Sequence, residues 1–168
     1  DTEVAPPADL ITFLRDELPA HASRRDDVVI DTPPSVGALT QAGLAAADVI
    51  IAPVTPSVEA YDQLRRLTAV LDARIAKRVN RGAQISWVVP VAFDSRARDG
   101  RGRLLDREIL TQLCNTYSGQ VTPPVRDSVI ARDAYMEGLP VGAYAPGTPV
   151  ANDYAQAART IIEGGPQS

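Results

Sequence analysis

The side chain best placed to do chemistry is a carboxylate. Asp31 follows the apolar run Val28-Val29-Ile30 and precedes Thr32-Pro33-Pro34-Ser35. A short continuous apolar run suits a strand covered on both faces, as in a parallel sheet. Ligands of open α/β sheets sit beyond the carboxyl ends of the strands, and Asp31 is the first polar residue at such an end. A carboxylate there can hold a magnesium ion beside nucleotide phosphates. The plainer alternative is a residue that caps a turn. Pro33 and Pro34 then stop the strand and stiffen the loop.

A second stretch is rich in guanidinium groups. Arg96, Arg98, Arg101, Arg103 and Arg107 lie between Asp94 and Glu108, and within residues 96–103 only Asp99 opposes them. Gly100 and Gly102 loosen this loop. Arginine grips phosphate bidentately, and flexible basic loops suit sequence-independent nucleic-acid contact. The alternative is a solvated turn in which Asp99 and Asp106 offset the charge.

Other polar residues carry less. Arg126 and Asp127 follow the last apolar run, where Asp127 and Ser128 are good helix caps. Thr55 and Glu59 follow the second strand at the sheet's carboxyl edge, where they could face a nucleotide or a dimer partner, and are read mainly as caps of the next helix. His21 stands in a polar stretch and is expected at the surface. Cys114 is expected to be a small buried side chain. No Cys/His cluster suggests zinc, and no Ser-His-Asp or nucleophile-elbow pattern occurs.

These groups need a scaffold, and the pattern supplies one. Strands are expected over residues 27–31, 48–54, 85–92 and 120–125. Helices are expected over 9–18 (Ile11, Leu14, Leu18), 58–76 (Ala60, Leu64, Leu67, Leu71, Ile75) and 104–116 (Leu105, Ile109, Leu113). Two more are expected over 128–137, stopping at Gly138, and over 152–163, starting at Asn152 and stopping at Gly164-Gly165. Strands interleaved with helices imply an α/β layer fold with right-handed crossovers. The expectation is a thin, doubly wound, mostly parallel sheet with helices on both faces. It would form one domain over residues 1–168, incomplete on its N-terminal side because the chain opens one helix before its first strand.

The run VVIDTPPSVGALTQAGLAAADVIIAPVTPS, residues 28–57, resembles the ParA/Soj family. That family has an apolar strand ending in Asp-Thr/Cys-Pro-Pro-Ser, a Gly-containing helix rich in Leu and Ala, then Ala-Asp, an apolar strand and a Pro-Val-x-Pro turn. Asp48, Pro53, Val54 and Pro56 fall in place. Phe93-Asp94-Ser95-Arg96 is similar to the family's aromatic-Asp-Ser-Arg segment, although Ala97 stands where the family often has a hydroxyl residue. Val125-Arg126-Asp127-Ser128-Val129, Asp133-Ala134 and Gly138-Leu139-Pro140-Val141 are similar to its closing nucleotide-side loop and helix.

The resemblance implies a P-loop NTPase-like fold of the deviant Walker-A type that binds magnesium and ATP. Asp31 would support the magnesium, as both metal and catalytic residue. Pro124, Arg126 and Asp127 would lie near the adenine, and Arg96 and Arg98 would contact DNA. It further implies a homodimer with sandwiched nucleotides, non-specific DNA binding, a ParB-like centromere-binding partner, and a cytoplasmic, nucleoid-associated location. The related MinD branch lies on membranes through a basic amphipathic tail. Residues Tyr154 to Glu163 have no such face, which favours the partition branch.

One part of that family is not found in these residues. A P-loop needs a Gly-rich turn followed by Lys and Ser or Thr. Among 17 basic residues the single lysine is Lys77, in Ala76-Lys77-Arg78 near a helix end with no Gly-rich run before it. The chain alone is therefore expected not to hydrolyse ATP. Either a longer protein supplies the loop or the chain is a non-catalytic scaffold of the same fold. A role in another branch of the superfamily is a third reading.

Composition agrees with a folded protein: 45% of residues are apolar and the prolines are scattered. The net charge of −4 means any nucleic-acid contact must come from a local basic patch. One cysteine allows no internal disulfide and fits a reducing compartment. The opening residues do not read as a signal peptide, and no run reaches the roughly 18 apolar residues of a spanning helix.

Overall fold

A computed structural model describes residues 8–21, 27–33, 35, 37–77 and 79–164. The chain divides into two compact units, residues 1–50 with 65–84, and residues 51–64 with 85–168.

The first unit is built on helix against helix. α1 (Ala8–His21) packs on α2 (Ala38–Ala46). Of the expected stripe, Ile11 is buried, while Leu14 and Leu18 are half-buried. His21 is exposed, as expected. α2 turns nearly its whole length inward, from Thr40 to Ala45. α3 (Val58–Val70) gives its second half to this unit and continues into a π-helical turn over Leu71–Ile75, in which Ala76 N donates to Leu71 O at 2.8 Å. Leu71 and Ile75 are fully buried, as their spacing predicts. Arg15 Nη1 donates to Val79 O at 2.7 Å, and Asn80 Nδ2 donates to Ala47 O at 3.1 Å, tying down the return of the chain.

The strand expected over residues 27–31 is not formed. This segment has no regular structure, and Val28 and Val29 are 50% and 91% exposed. An apolar run becomes a strand only where a neighbour completes its ladder of backbone hydrogen bonds. Among the described residues none does so here.

The second unit holds the sheet. β1 (Ile51–Val54) and β2 (Trp87–Pro90) run parallel, with Ile51 opposite Trp87 and Val54 opposite Pro90. All of β2 is buried, as a strand covered on both faces should be. Along the other edge of β2, residues 120–127 run parallel through the bridges Val88–Val121 and Phe93–Arg126. The fourth expected strand is thus present as two separate bridges, and the prolines explain the gap. Thr122 N donates to Val88 O, Val125 N to Pro90 O, and Asp127 N to Phe93 O. The middle pair is one residue out of step with the outer two. The regular donor would be the nitrogen of residue 124, and Pro124 has no N–H. The register recovers across Ala92, whose φ of 59° is rare for a residue with a side chain and costs on the order of 1–3 kcal/mol.

The helices of this unit follow the sequence pattern closely. α4 (Leu104–Thr116) has the expected bounds, but its inner face is rotated. Asp106, Ile109 and Leu113 are buried, while Leu105 is 41% exposed. Cys114, expected inside, is exposed, because Leu113 takes the core position beside it. Ser57 Oγ accepts from Ala60 N at 3.1 Å at the start of α3, so Ser57 fills the capping role expected of Thr55 and Glu59. α5 (Val129–Met136) ends at Gly138, whose φ of 65° suits glycine, and Leu139 N donates back to Ala134 O. A one-turn helix α6 (Val141–Tyr144) leads to α7 (Pro149–Gly164), which starts at a proline three residues before the expected Asn152. Val89, Val125, Val150 and Ala157 form a core cluster, packed by Ile130, Val141 and Ile161.

Candidate functional site

Asp31 lies in the first unit, on an anchored but irregular segment. Its neighbours Ile30 and Thr32 press on α2 at Gly43. A Cβ added there would stand 3.2 Å from Thr32 Cγ2 and 3.3 Å from Ile30 Cγ2. Glycine lets the helix approach this segment closely. The Asp31 side chain itself is at the surface. Among the described residues no three His, Cys, Asp or Glu side chains converge on a metal site. Magnesium asks for less where phosphates supply the other oxygens: one or two carboxylates suffice. An exposed single carboxylate fits that mode.

The remaining sequence candidates lie in the second unit, at the carboxyl ends of its parallel strands. Pro124 and Arg126 are brought together there. With Phe93, Ser95 and Asp153 they line a cavity of about 70 Å³. Asp153, on α7, holds Arg126 at three points. The Arg126 backbone N–H donates to Oδ2 at 3.2 Å, Nη2 donates to Oδ1 at 3.0 Å, and Nε donates to Oδ2. The hydrogen bonds to Asp153 hold the Arg126 proton more firmly than usual. Asp127 is not part of this cavity. It is exposed and accepts from Arg132 Nη1 at 3.3 Å, and no side chain caps the start of α5. Asp153 had no sequence signal, because nothing in a helix start reveals a partner 27 residues upstream.

The arginine loop is more ordered than its glycines suggest. Ser95–Asp99 forms a 3-10 turn whose N-cap is Asp94. The Asp94 carboxylate accepts from Arg96 N (3.0 Å), Arg96 Nε (3.0 Å) and Arg96 Nη2 (2.8 Å), and from Arg103 N at 3.3 Å. The Arg96 side chain and backbone bonds, then its charge, hold the Asp94 carboxyl far below the usual carboxylate range. Asp94 N in turn donates to Asp106 Oδ2 at 2.6 Å, and Arg103 Nη2 donates to the same oxygen at 3.0 Å. Asp106 therefore serves as a buried post for the loop, which is why α4 turns a carboxylate inward. Arg96 remains 70% exposed despite its ion pair. Arg101 and Arg107 are exposed, and the Arg98 side chain lies outside the described residues.

Comparison with known proteins supports the kinship that the residues suggest. A family model described as an AAA domain matches residues 2–85. The chain is 37% identical over 84 residues to the chromosome partitioning protein ParA of Myxococcus xanthus, covering 50% of this chain and 29% of that protein. It is 31% identical over 144 residues to the chromosome-partitioning ATPase Soj of Treponema pallidum, covering 82% of this chain and 52% of that protein. An uncharacterized protein of Mycobacterium tuberculosis matches 83% of the chain at 29% identity, over 42% of its own length. The chain thus spans about half or less of the curated relatives it matches. With its parallel α/β core and the run through Asp31 inside the matched region, this chain belongs to the ParA/Soj family of the P-loop superfamily.

Proposed function

We propose that these residues serve a ParA-like partition ATPase: a dimer that binds magnesium and ATP, contacts DNA without sequence preference, and answers to a ParB-like protein at a centromere-like site. The observation that carries the reading is the Asp31 block, residues 28–57, lying within the residues matched by the family model. In that role Asp31 holds the metal, which when bound neutralises charge on the nucleotide phosphates. Pro124 and Arg126 form a wall for the base, with the Arg126 guanidinium fixed in place by Asp153. The arginine loop meets the phosphodiester backbone. The protein works in the cytoplasm on the nucleoid, and no helix among the described residues is long and apolar enough to cross a membrane.

A random-sequence duplex titrated with the chain tests this reading by fluorescence anisotropy, with and without magnesium ATP. Binding should ignore sequence and weaken steeply as salt rises. Absence of binding at low salt in both nucleotide states contradicts the DNA role.

A second reading, a non-catalytic scaffold of the same fold, is favoured by the single lysine of these 168 residues and its unsuitable setting. Steady ATP hydrolysis by the chain alone would contradict it.

A further inference from the structure

We infer that Asp94 is a positioning residue for phosphate contact by Arg96, an inference that rests on the reading that this loop meets DNA. The geometry around Asp94 is specific. Its carboxylate takes the side face of the guanidinium, Nε at 3.0 Å and Nη2 at 2.8 Å. A guanidinium has a second, end-on pair of donors, formed by Nη1 and the outer hydrogen of Nη2. Among the described residues no side chain takes that pair, and Arg96 is 70% exposed, whereas the Asp94 side chain is only 10% exposed.

The surrounding backbone is shaped to keep Asp94 there. Arg96 N and Arg103 N both donate to its carboxylate, and its own N–H is anchored on buried Asp106. Gly102, with φ of 81°, passes so close that an added Cβ would stand 2.7 Å from Asp94 Cγ and Oδ2. A long arginine side chain loses considerable rotamer freedom when it grips a phosphate. Holding it beforehand by one face lowers that cost of binding and aims the other face outward. The carboxylate also lowers the local positive charge, so the two effects of removing it oppose each other, and the sign of the result is informative.

The experiment measures random-sequence duplex affinity for the chain, in magnesium ATP at fixed salt, for Asp94→Asn, Arg96→Ala and the double variant. Arg96→Ala should weaken binding roughly tenfold, the order expected for a lost hydrogen bond to a charged group. Asp94→Asn should weaken it in the same direction, and should have no further effect once Arg96 is alanine. Gly102→Ala displaces the carboxylate without changing any charge and should behave as Asp94→Asn does. Circular dichroism confirms that each variant is folded. Three results overturn the inference: tighter binding by Asp94→Asn, unchanged binding by both Asp94→Asn and Gly102→Ala, or an undiminished Asp94→Asn effect in the Arg96→Ala background, which marks a general structural role. If Arg96→Ala binds as the parent chain does, the DNA reading of this loop itself fails, and Asp94 falls with it.

Discussion

Asp94 ionises in an unusual setting, and its pH behaviour follows. Its folded-state carboxyl is held far below the ordinary aspartate value by Arg96. A depressed carboxylate contributes stability that is fully present above its unfolded value, about 3.9, and is lost as pH falls through the lower folded value. The Asp94–Arg96 clasp should therefore survive acidification from pH 7 to about 4. Carboxyl-carbon NMR checks this: Asp94 should remain ionised where ordinary exposed carboxylates are half protonated. An Asp94 signal that titrates near 4 contradicts the clasp. The residue scale also shows where the sequence was silent. Asp106 has a local ion pair with Arg103, three residues before it, but it also accepts from the Asp94 backbone N–H outside its helix, and Asp153 accepts from Arg126, 27 residues away. Such pairings depend on tertiary proximity, which spacing along a chain does not encode.

Elements were legible wherever periodicity reported burial. α4 has its expected bounds, and α3 with its π-helical turn places Leu64, Leu71 and Ile75 inside as their spacing implies. Where structure and pattern differ there is one physical origin: hydropathy reports burial but not whether backbone and side-chain hydrogen bonds find partners. Val28-Val29-Ile30 looked like a strand but has no ladder partner among the described residues, and residues 120–125 lose their regular ladder to Pro123 and Pro124. On α4, hydropathy alone points Leu105 to the core, whereas Asp106 occupies the inner face because it has donors to accept from. The core of α4 therefore rests on few residues. Leu113→Ala removes a fully buried side chain and should cost about 2–5 kcal/mol. Thermal unfolding followed by circular dichroism measures this, and a loss below 1 kcal/mol would mean that Leu113 packs less tightly than its burial indicates.

At the scale of the whole molecule, the chain carries a basic loop on an acidic protein and two exposed valines, Val28 and Val29, on an irregular segment. Val29, 91% exposed, adjoins Val28 on a stretch that has no ladder partner among the described residues. Apolar segments with open hydrogen-bonding edges promote association. Val29→Lys should raise the monomer fraction in light scattering at concentrations where the parent chain associates, with little change in melting temperature. An unchanged mass distribution would remove this segment as the cause.

The claim on which the nucleotide reading depends is that Asp31 is where the nucleotide's metal docks. Manganese, a paramagnetic substitute for magnesium, tests it directly by NMR when added to the chain with ATP. The amide signals of Ile30, Asp31 and Thr32 should broaden first, and Asp31→Asn should abolish this while leaving the fold intact. Broadening centred elsewhere, or unaltered by Asp31→Asn, would contradict it.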